Sequence, residues 1–346
     1  MFFNMSGKQR LYIGASALAL VIFLFYLYSL IFGPSVTPRG KSAVILIPES
    51  ASYGQAMDSV YSQLEIKHRK ILSWLAVRNE YPTHIKPGRY VIEKPVSCRQ
   101  LINILRGGRQ SPVKITFSNA RTINEIAGKI GGRIEADSAE IVAFFSDPEN
   151  YRKDGFNTAT VISVFVPNTY EFFWNTSPGR LYSRMLREYD KFWNRDRRRK
   201  AEDLGLTPVE VSVLASIVDD EVAKSDEKPR VAGVYLNRLR LGMPLQACPT
   251  IRFALNDYTI TRVLSKYLTV ESPYNTYKYK GLPPGPIRCP SIDGIEAVLN
   301  AEHHDYLYFA AKPDFSGYNS FSRTLSEHNR KAAQYQRELN RRRIYR

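Results

Sequence analysis

Cysteine is scarce in this 346-residue chain, which has only Cys98, Cys248 and Cys289. Three thiols are too few for a disulfide-stapled scaffold, and none stands in the spacing of a structural zinc site, so no metal is expected. Cys248 and Cys289, each followed by a proline, are the candidate pair for one bridge in an oxidising compartment. Internal repeats and low-complexity tracts are lacking too, which excludes a solenoid. Acidic residues are outnumbered, with 33 Asp and Glu against 49 Lys and Arg, for a formal charge of +16. Charge of either sign is missing altogether from Leu11 to Phe32.

That uncharged run is the strongest signal in the chain. About 20 apolar residues cross the hydrocarbon core of a bilayer, and the run is too long for the apolar region of a signal peptide. No small-residue cleavage site follows it. A transmembrane helix is therefore predicted over 11–32, with 1–10 as a tail that Lys8 and Arg10 hold in the cytoplasm, a bias weakened by Arg39 and Lys41. The chain beyond is long enough for two or three domains with their own cores. If it lies outside the cytoplasm, its positive charge faces anionic lipid, wall polymer or acidic peptide, and a nucleic-acid partner is not expected. The basic stretch Arg195 to Lys200, after Phe192 and Trp193, reads as a solvated helix face.

Three segments follow the run. After a linker with Pro34, Pro38 and Gly40, a buried strand is predicted at Ala43 to Ile47, helices near Gln55 to Leu64 and Ile71 to Arg78, and a turn into a second strand over Lys86 to Ile92. A helix capped by Ser97 then runs through Leu105 to the stop at Gly107-Gly108. This small α/β unit spans 41–110. The intermediate segment, 111–204, starts with a strand at Val113 to Phe117 and helices beginning after Thr122 and Ser138. Its aromatic stretch Phe165 to Trp174 either lines a sugar site or packs domains together, the second being the simpler reading. The third segment, 205–346, opens on Thr207-Pro208-Val209-Glu210, which joins a capping Thr, a proline at the first helical position and a Glu that closes the capping box.

At 100° per residue, Val211, Leu214, Ala215, Val218 and Val222 share one stripe of that helix. Asp220 projects away from the stripe and Asp219 lies on its flank, whereas Glu221 falls between Leu214 and Val218. A carboxylate on an apolar face is expensive in its charged form, and Asp219, Asp220 and the negative end of the helix all favour protonation. A raised pKa suits a general acid for glycosidic bonds. A salt bridge from Glu221 to Arg230 or Arg238 is the competing explanation. Asp219 is the nearest second acid, but two positions along a helix diverge by about 200°, so both cannot face one cleft. A single-acid mechanism with a substrate hydroxyl as nucleophile fits better.

The run Leu214 to Glu221, the motif Val231 to Leu239, Gly242-Met243-Pro244-Leu245-Gln246, Pro249-Thr250, Ser272 to Tyr277, Gly281 to Ile287 and Phe321 to Asn329, taken in order, resemble the MltG (YceG-like) endolytic murein transglycosylases. The resemblance is strongest over 205–340, and Lys86 to Ile92 and Pro167 to Tyr170 extend it upstream. It implies an α+β chain: one N-terminal transmembrane helix, a LysM-like α/β module and a C-terminal α+β catalytic domain over 205–346. It also implies cleavage of the MurNAc-β-1,4-GlcNAc bond without water, leaving 1,6-anhydroMurNAc ends and using no cofactor. Glu221 matches the family's catalytic glutamate. Gln246, Asn275, Tyr277, His328 and Asn329 are the implied substrate contacts, with loop scaffolding as the alternative for each. Peptidoglycan strands are the implied substrate and cell-wall synthases the implied partners. The implied location is the inner membrane, with the catalytic part periplasmic. The chain departs from the family pattern at Asp219, where a second glutamate is usual, and at Cys248, where an acid commonly precedes the proline.

Two other readings remain open at this point. A non-catalytic wall-binding anchor would use the small α/β unit as its grip. A two-carboxylate muramidase would need a second essential acid, Asp219 or Glu171, and would release reducing ends.

Overall fold

The computed structural model describes residues 7–260 and 263–342, so residues 1–6 of the predicted tail and 343–346 of the third segment lie outside the described residues. Two compact units divide the chain. The first holds residues up to 114 together with 133–135 and 171–176; the second holds 115–132, 136–170 and the chain from 177 onward.

The first unit begins with α1 (Gly7–Phe32), whose most apolar window has a mean hydropathy of 2.3 and which buries none of that window. At 1.5 Å per residue it is about 39 Å long, enough to cross a hydrocarbon core of about 30 Å. The stretch read as a linker is not free chain. Its residues form β1 (Val36–Pro38), antiparallel to β3 (Leu64–Ile66), and Ser35 and Val36 donate backbone bonds of 3.1 and 2.9 Å to the Val96 carbonyl. Pro38 is tolerated because an edge strand need not donate from every position. Ile31 packs on the unit's core and Arg99 sits 5.1 Å from the Phe32 ring, so α1 runs directly into the folded unit.

The rest of this unit follows the predicted order. Strands β2 (Ala43–Ile47) and β4 (Gly88–Ile92) pair antiparallel, with Ala43 opposite Ile92 and Ile47 opposite Gly88. Between them run α2 (Tyr53–Gln63), started by a Ser52–Gln55 capping box, and α3 (Arg69–Arg78). Helix α4 (Cys98–Arg106) starts with a Ser97–Gln100 capping box and ends at Gly107, as the sequence indicates. Alternate residues Ala43, Ile45 and Ile47 face inward with Tyr90 and Ile92, and the helices add Val60, Leu72, Leu101 and Leu105 to one apolar core.

In the second unit the ring cluster Phe117, Phe145, Phe165, Tyr170 and Tyr182 is buried, with Phe117 and Phe165 edge to face at 5.3 Å. The aromatic stretch therefore packs, although Phe173 stays exposed. Strands β5 (Val113–Phe117) and β6 (Asn168–Phe172) form a two-stranded sheet. Helices α5 (Ile123–Ile130) and α6 (Ser138–Ser146) lie where expected, except that Asp137 caps α6. Then come α7 (Pro178–Phe192), α8 (Arg195–Asp203), α9 (Pro208–Glu221), α10 (Lys228–Arg240), α11 (Cys248–Leu255), α12 (Ile292–Leu299), the antiparallel hairpin β7 (Tyr308–Ala311) and β8 (Asn319–Ser322), and α13 (Leu325–Arg341).

Helix α9 is the hub. It packs against α8, α10, α11 and α12, and every residue from Val211 to Val218 is buried. The one-stripe picture is corrected here: Ser212, Val213, Ser216 and Ile217 are as buried as the stripe, because neighbours surround the helix on all sides. Ser216 Oγ donates 2.7 Å to the Val213 carbonyl and accepts 3.0 Å from the Ile287 N–H, which pins the proline-rich loop to the hub.

Candidate active site

The three consecutive acids at the end of α9 go to three different surroundings. Asp219, with a side chain only 5% exposed, accepts from Lys228 Nζ at 2.7 Å, from the Ser291 N–H at 2.6 Å and from Ser291 Oγ at 2.8 Å. Lys228 also reaches Asp293 at 2.9 Å. The carboxylate fits only because residue 294 is glycine, since a Cβ there would stand 2.5 Å from Asp219 Oδ1. Asp220, 8% exposed, bridges Arg121 at 2.7 Å and Arg288 at 2.5 Å. Both side chains are held in structural ion-pair networks.

Glu221 is the last residue of α9, and Val222 turns the chain into extended backbone. Its Oε1 accepts from the Tyr235 hydroxyl at 3.0 Å, and the backbone N–H of Cys248, in the first turn of α11, also donates to the carboxylate. Neither arginine raised as a salt-bridge partner pairs with it. Arg230 is paired with Glu302 at 2.7 Å, and Arg238 donates to the backbone carbonyls of Leu307 at 2.7 Å and Leu245 at 2.8 Å. Loss of water around the carboxyl pushes its pKa up to about 7; the two donors and the charge of Arg252 pull against that, and Asp220 adds to it. The upward direction agrees with the sequence reading, with desolvation as its leading cause.

Glu221 opens into a cavity of about 320 Å³ lined by Tyr235, Arg238, Gln246, Cys248, Tyr277, Tyr308, Phe309 and His328, with Leu245 and Leu325. The volume is at the lower end of the range for small-ligand sites, about 300–1,000 Å³. Among the described lining residues Glu221 is the one carboxylate.

Three of the five expected substrate contacts come together here. Gln246 adopts a left-handed backbone, φ 52°, held by its N–H on the Thr276 carbonyl at 3.0 Å. The Tyr277 hydroxyl is 3.2 Å from Cys248 Sγ. His328 stacks on Tyr308 at 5.4 Å, and its Nδ1 is buried without a hydrogen-bond partner among the described residues. Burial, then the charge of Arg238, lowers the His328 pKa, so the ring is neutral at pH 7.

The other two are elsewhere. Asn275 is fully buried, and its Nδ2 donates at 2.9 Å to the carbonyls of both Leu268 and Val270 while its Oδ1 accepts from the Tyr277 N–H. This amide shapes the loop that presents Tyr277. Asn329 lies on the exposed side of α13 with Ser326 and Arg330. The suggested bridge between Cys248 and Cys289 is absent: both are free thiols, Cys248 in the cavity and Cys289 buried near the Ile162 carbonyl. Cys248 opens α11 and Cys289 lies in the stretch before α12, and the proline after each does not bring the two together.

Tyr235 and Tyr308 were not singled out from the sequence, and Arg238 was raised only as a salt-bridge partner of Glu221. Tyr235 and Arg238 are three apart on α10 and so share a face. That spacing is visible in the motif, whereas the packing of α10 against the end of α9 is not. A larger hollow of about 540 Å³ lies around Gly233, Asn237 and His304, where the Asn237 amide and the His304 ring are already engaged. Asn237 Nδ2 donates to the carbonyls of His304 and Tyr306, and His304 bonds the Arg230 carbonyl.

The YceG-like family model matches residues 45–334. The endolytic murein transglycosylase of Bacillus subtilis is 28% identical over 90% of this chain and 89% of its own length. The endolytic murein transglycosylase of Streptococcus pneumoniae is 27% identical over 85% of this chain, which spans 58% of that longer protein. A crystal structure of a YceG-like protein from Listeria monocytogenes superposes with a TM-score of 0.55 at 25% identity, over 84% of this chain and 98% of the other. With a match that runs from β2 to α13 and takes in every residue lining the Glu221 cavity, the chain belongs to the YceG-like family.

Proposed function

We propose that this protein is a membrane-tethered endolytic murein transglycosylase in which Glu221 acts as acid and then as base. The protonated carboxyl gives its proton to the departing GlcNAc O4 as the bond to MurNAc C1 breaks. The MurNAc C6 hydroxyl forms the new bond to C1 and returns its proton to the carboxylate, so that the glycan ends in 1,6-anhydroMurNAc and no water is consumed. The observation that carries this reading is the one carboxyl among the described residues of the cavity, without an ion pair among those residues and held near pKa 7. Such a group is half protonated near neutrality and can both give and take a proton. The names of the relatives support the same activity.

A hydrolytic muramidase is disfavoured by the placement of the second acids. Asp219 is locked to Lys228 and Ser291, and Glu171 is exposed beside Lys114 at 3.8 Å. Gln246, Tyr277 and His328 serve as sugar contacts, with Tyr308 and Arg238 beside them. Helix α1 spans the membrane with the N-terminus in the cytoplasm and the globular units on the wall side, in the periplasm of a two-membrane envelope. The order β2, α2, β3, α3, β4, in which β2 and β4 pair antiparallel around the two helices, supports a LysM-like reading of the first unit. Nascent strands, and the synthases that make them, are the substrate and neighbours that such a tether keeps within reach.

The test is to treat purified peptidoglycan with the full chain in detergent and identify the released ends by mass spectrometry. Anhydro ends support the proposal, and reducing ends would replace it with hydrolysis.

A further inference from the structure

Outside α1, the first unit exposes an apolar pair on one helix face. Trp74 and Val77 of α3 are 57% and 61% exposed, while Leu72, Leu75 and Ala76 on the other side of the helix are buried. At 100° per residue Lys70, Trp74 and Val77 share an arc of about 60°, and Arg78 widens it to about 100°. Both basic residues are exposed, and neither is in an ion pair among the described residues. A solvent-facing indole beside a valine is costly in water, and flanking cations beside an indole are the composition of side chains that sit at a bilayer surface.

The place of this face in the unit matches its chemistry. Helix α4 packs against both α1 and α3, and Arg99 of α4 lies over the ring of Phe32, the last residue of α1. The α3 face is therefore one helix away from the point where α1 enters the unit, with no linker between. Its own side chains offer no carboxylate, amide or hydroxyl for sugar hydroxyls, which disfavours a glycan as its occupant.

We propose that the Lys70–Trp74–Val77–Arg78 face of α3 rests on the bilayer that α1 spans. Trp74 and Val77 enter the interfacial zone, and Lys70 and Arg78 meet anionic lipid headgroups. The first unit would then be held to the membrane at two points, which fixes its tilt and not only its distance. The inference rests on the membrane-spanning reading of α1.

The experiment uses the full chain in vesicles of phosphatidylcholine and phosphatidylglycerol, with a fraction of the lipid brominated at a shallow acyl position. Subtracting the emission of Trp74→Phe from that of the unaltered protein isolates Trp74. The proposal expects a blue-shifted Trp74 component that the brominated lipid quenches, and a loss of most of that quenching in the double variant Lys70→Glu, Arg78→Glu. A Trp74 component with the red emission of hydrated indole, unquenched by bromine, overturns it. So does a component that responds only to added glycan fragments, which would make the face a sugar site. Retention after an alkaline wash is followed in parallel. If the chain stays in the vesicles and Trp74 is unquenched, the face is wrong and the span stands. If the chain washes off, the span and the face fall together.

Discussion

The Tyr235 hydroxyl donates a 3.0 Å hydrogen bond to Oε1 of Glu221, joining the middle of α10 to the last residue of α9. The bond stabilises the charged carboxylate, while loss of water pushes the other way and prevails, leaving the pKa at about 7. The phenol is pushed well above its ordinary value by burial and by the carboxylate, so it stays a donor throughout the working range.

Replacing Tyr235 with Phe should therefore raise the Glu221 pKa further. A hydrogen bond to a charged acceptor is worth about 1.5–3 kcal/mol, so a shift of about one to two units is expected. The proposed first step needs the protonated acid, and kcat/KM should fall as pH rises through the Glu221 pKa. In Tyr235→Phe that alkaline limb moves to higher pH. An unmoved limb with a lower rate would mean that Tyr235 only packs.

The raised pKa has a stability consequence. Between the ordinary value of 4.5 and about 7 the folded protein holds a proton on Glu221 that the unfolded chain has released, so this group costs stability as pH rises through that window. Below it the cost vanishes, and above it the cost is complete, on the order of 3 kcal/mol. Glu221→Gln should accordingly melt higher than the unaltered protein at pH 8 and at nearly the same temperature at pH 4.5. Parallel melting curves across this range would contradict the environment described for Glu221.

Asp219 is expected to matter for folding and not for the outcome of the reaction. Asp219→Ala leaves Lys228 with Asp293 alone and strands the Ser291 donors, a loss of about 3–5 kcal/mol by analogy with other broken buried pairs. Denaturant unfolding checks the stability. The material that remains folded should still make anhydro ends, and loss of all cleavage by folded material would restore the two-carboxylate reading.

Asn275→Ala should behave as a loop variant. Its amide satisfies two backbone carbonyls in a fully buried place, so its removal should cost about 1–3 kcal/mol. Substrate affinity should change only through the position of Tyr277. A KM effect larger than that of Tyr277→Phe, with stability unchanged, would argue for direct contact.

Much of the local structure was legible because its signals are local. The Ser97 cap and the Thr207 capping box are read from the sequence and reproduced by the structure, and the acid at the end of α9 stands out by projection alone. Less legible were features set by distant neighbours. Pro34 to Gly40 looks like a linker until β3 and Val96 arrive to pair with it, and α9 looks one-sided until α8, α10, α11 and α12 surround it. Asn275 and Asn329 share the polarity of a sugar contact, but only tertiary structure reveals that one amide is spent inside its own loop and the other lies on the far side of α13. Tyr235, fourteen residues from Glu221 along the chain, meets it only because α10 packs against α9.

The most direct test of the central claim compares the unaltered full chain with Glu221→Gln on the same peptidoglycan, after circular dichroism has shown both to be folded. Mass spectrometry then reads the released ends. Anhydro ends from the unaltered protein, with their complete loss in Glu221→Gln, are the predicted result. Anhydro ends persisting at a comparable rate in Glu221→Gln would contradict the assignment of the reaction to this carboxyl.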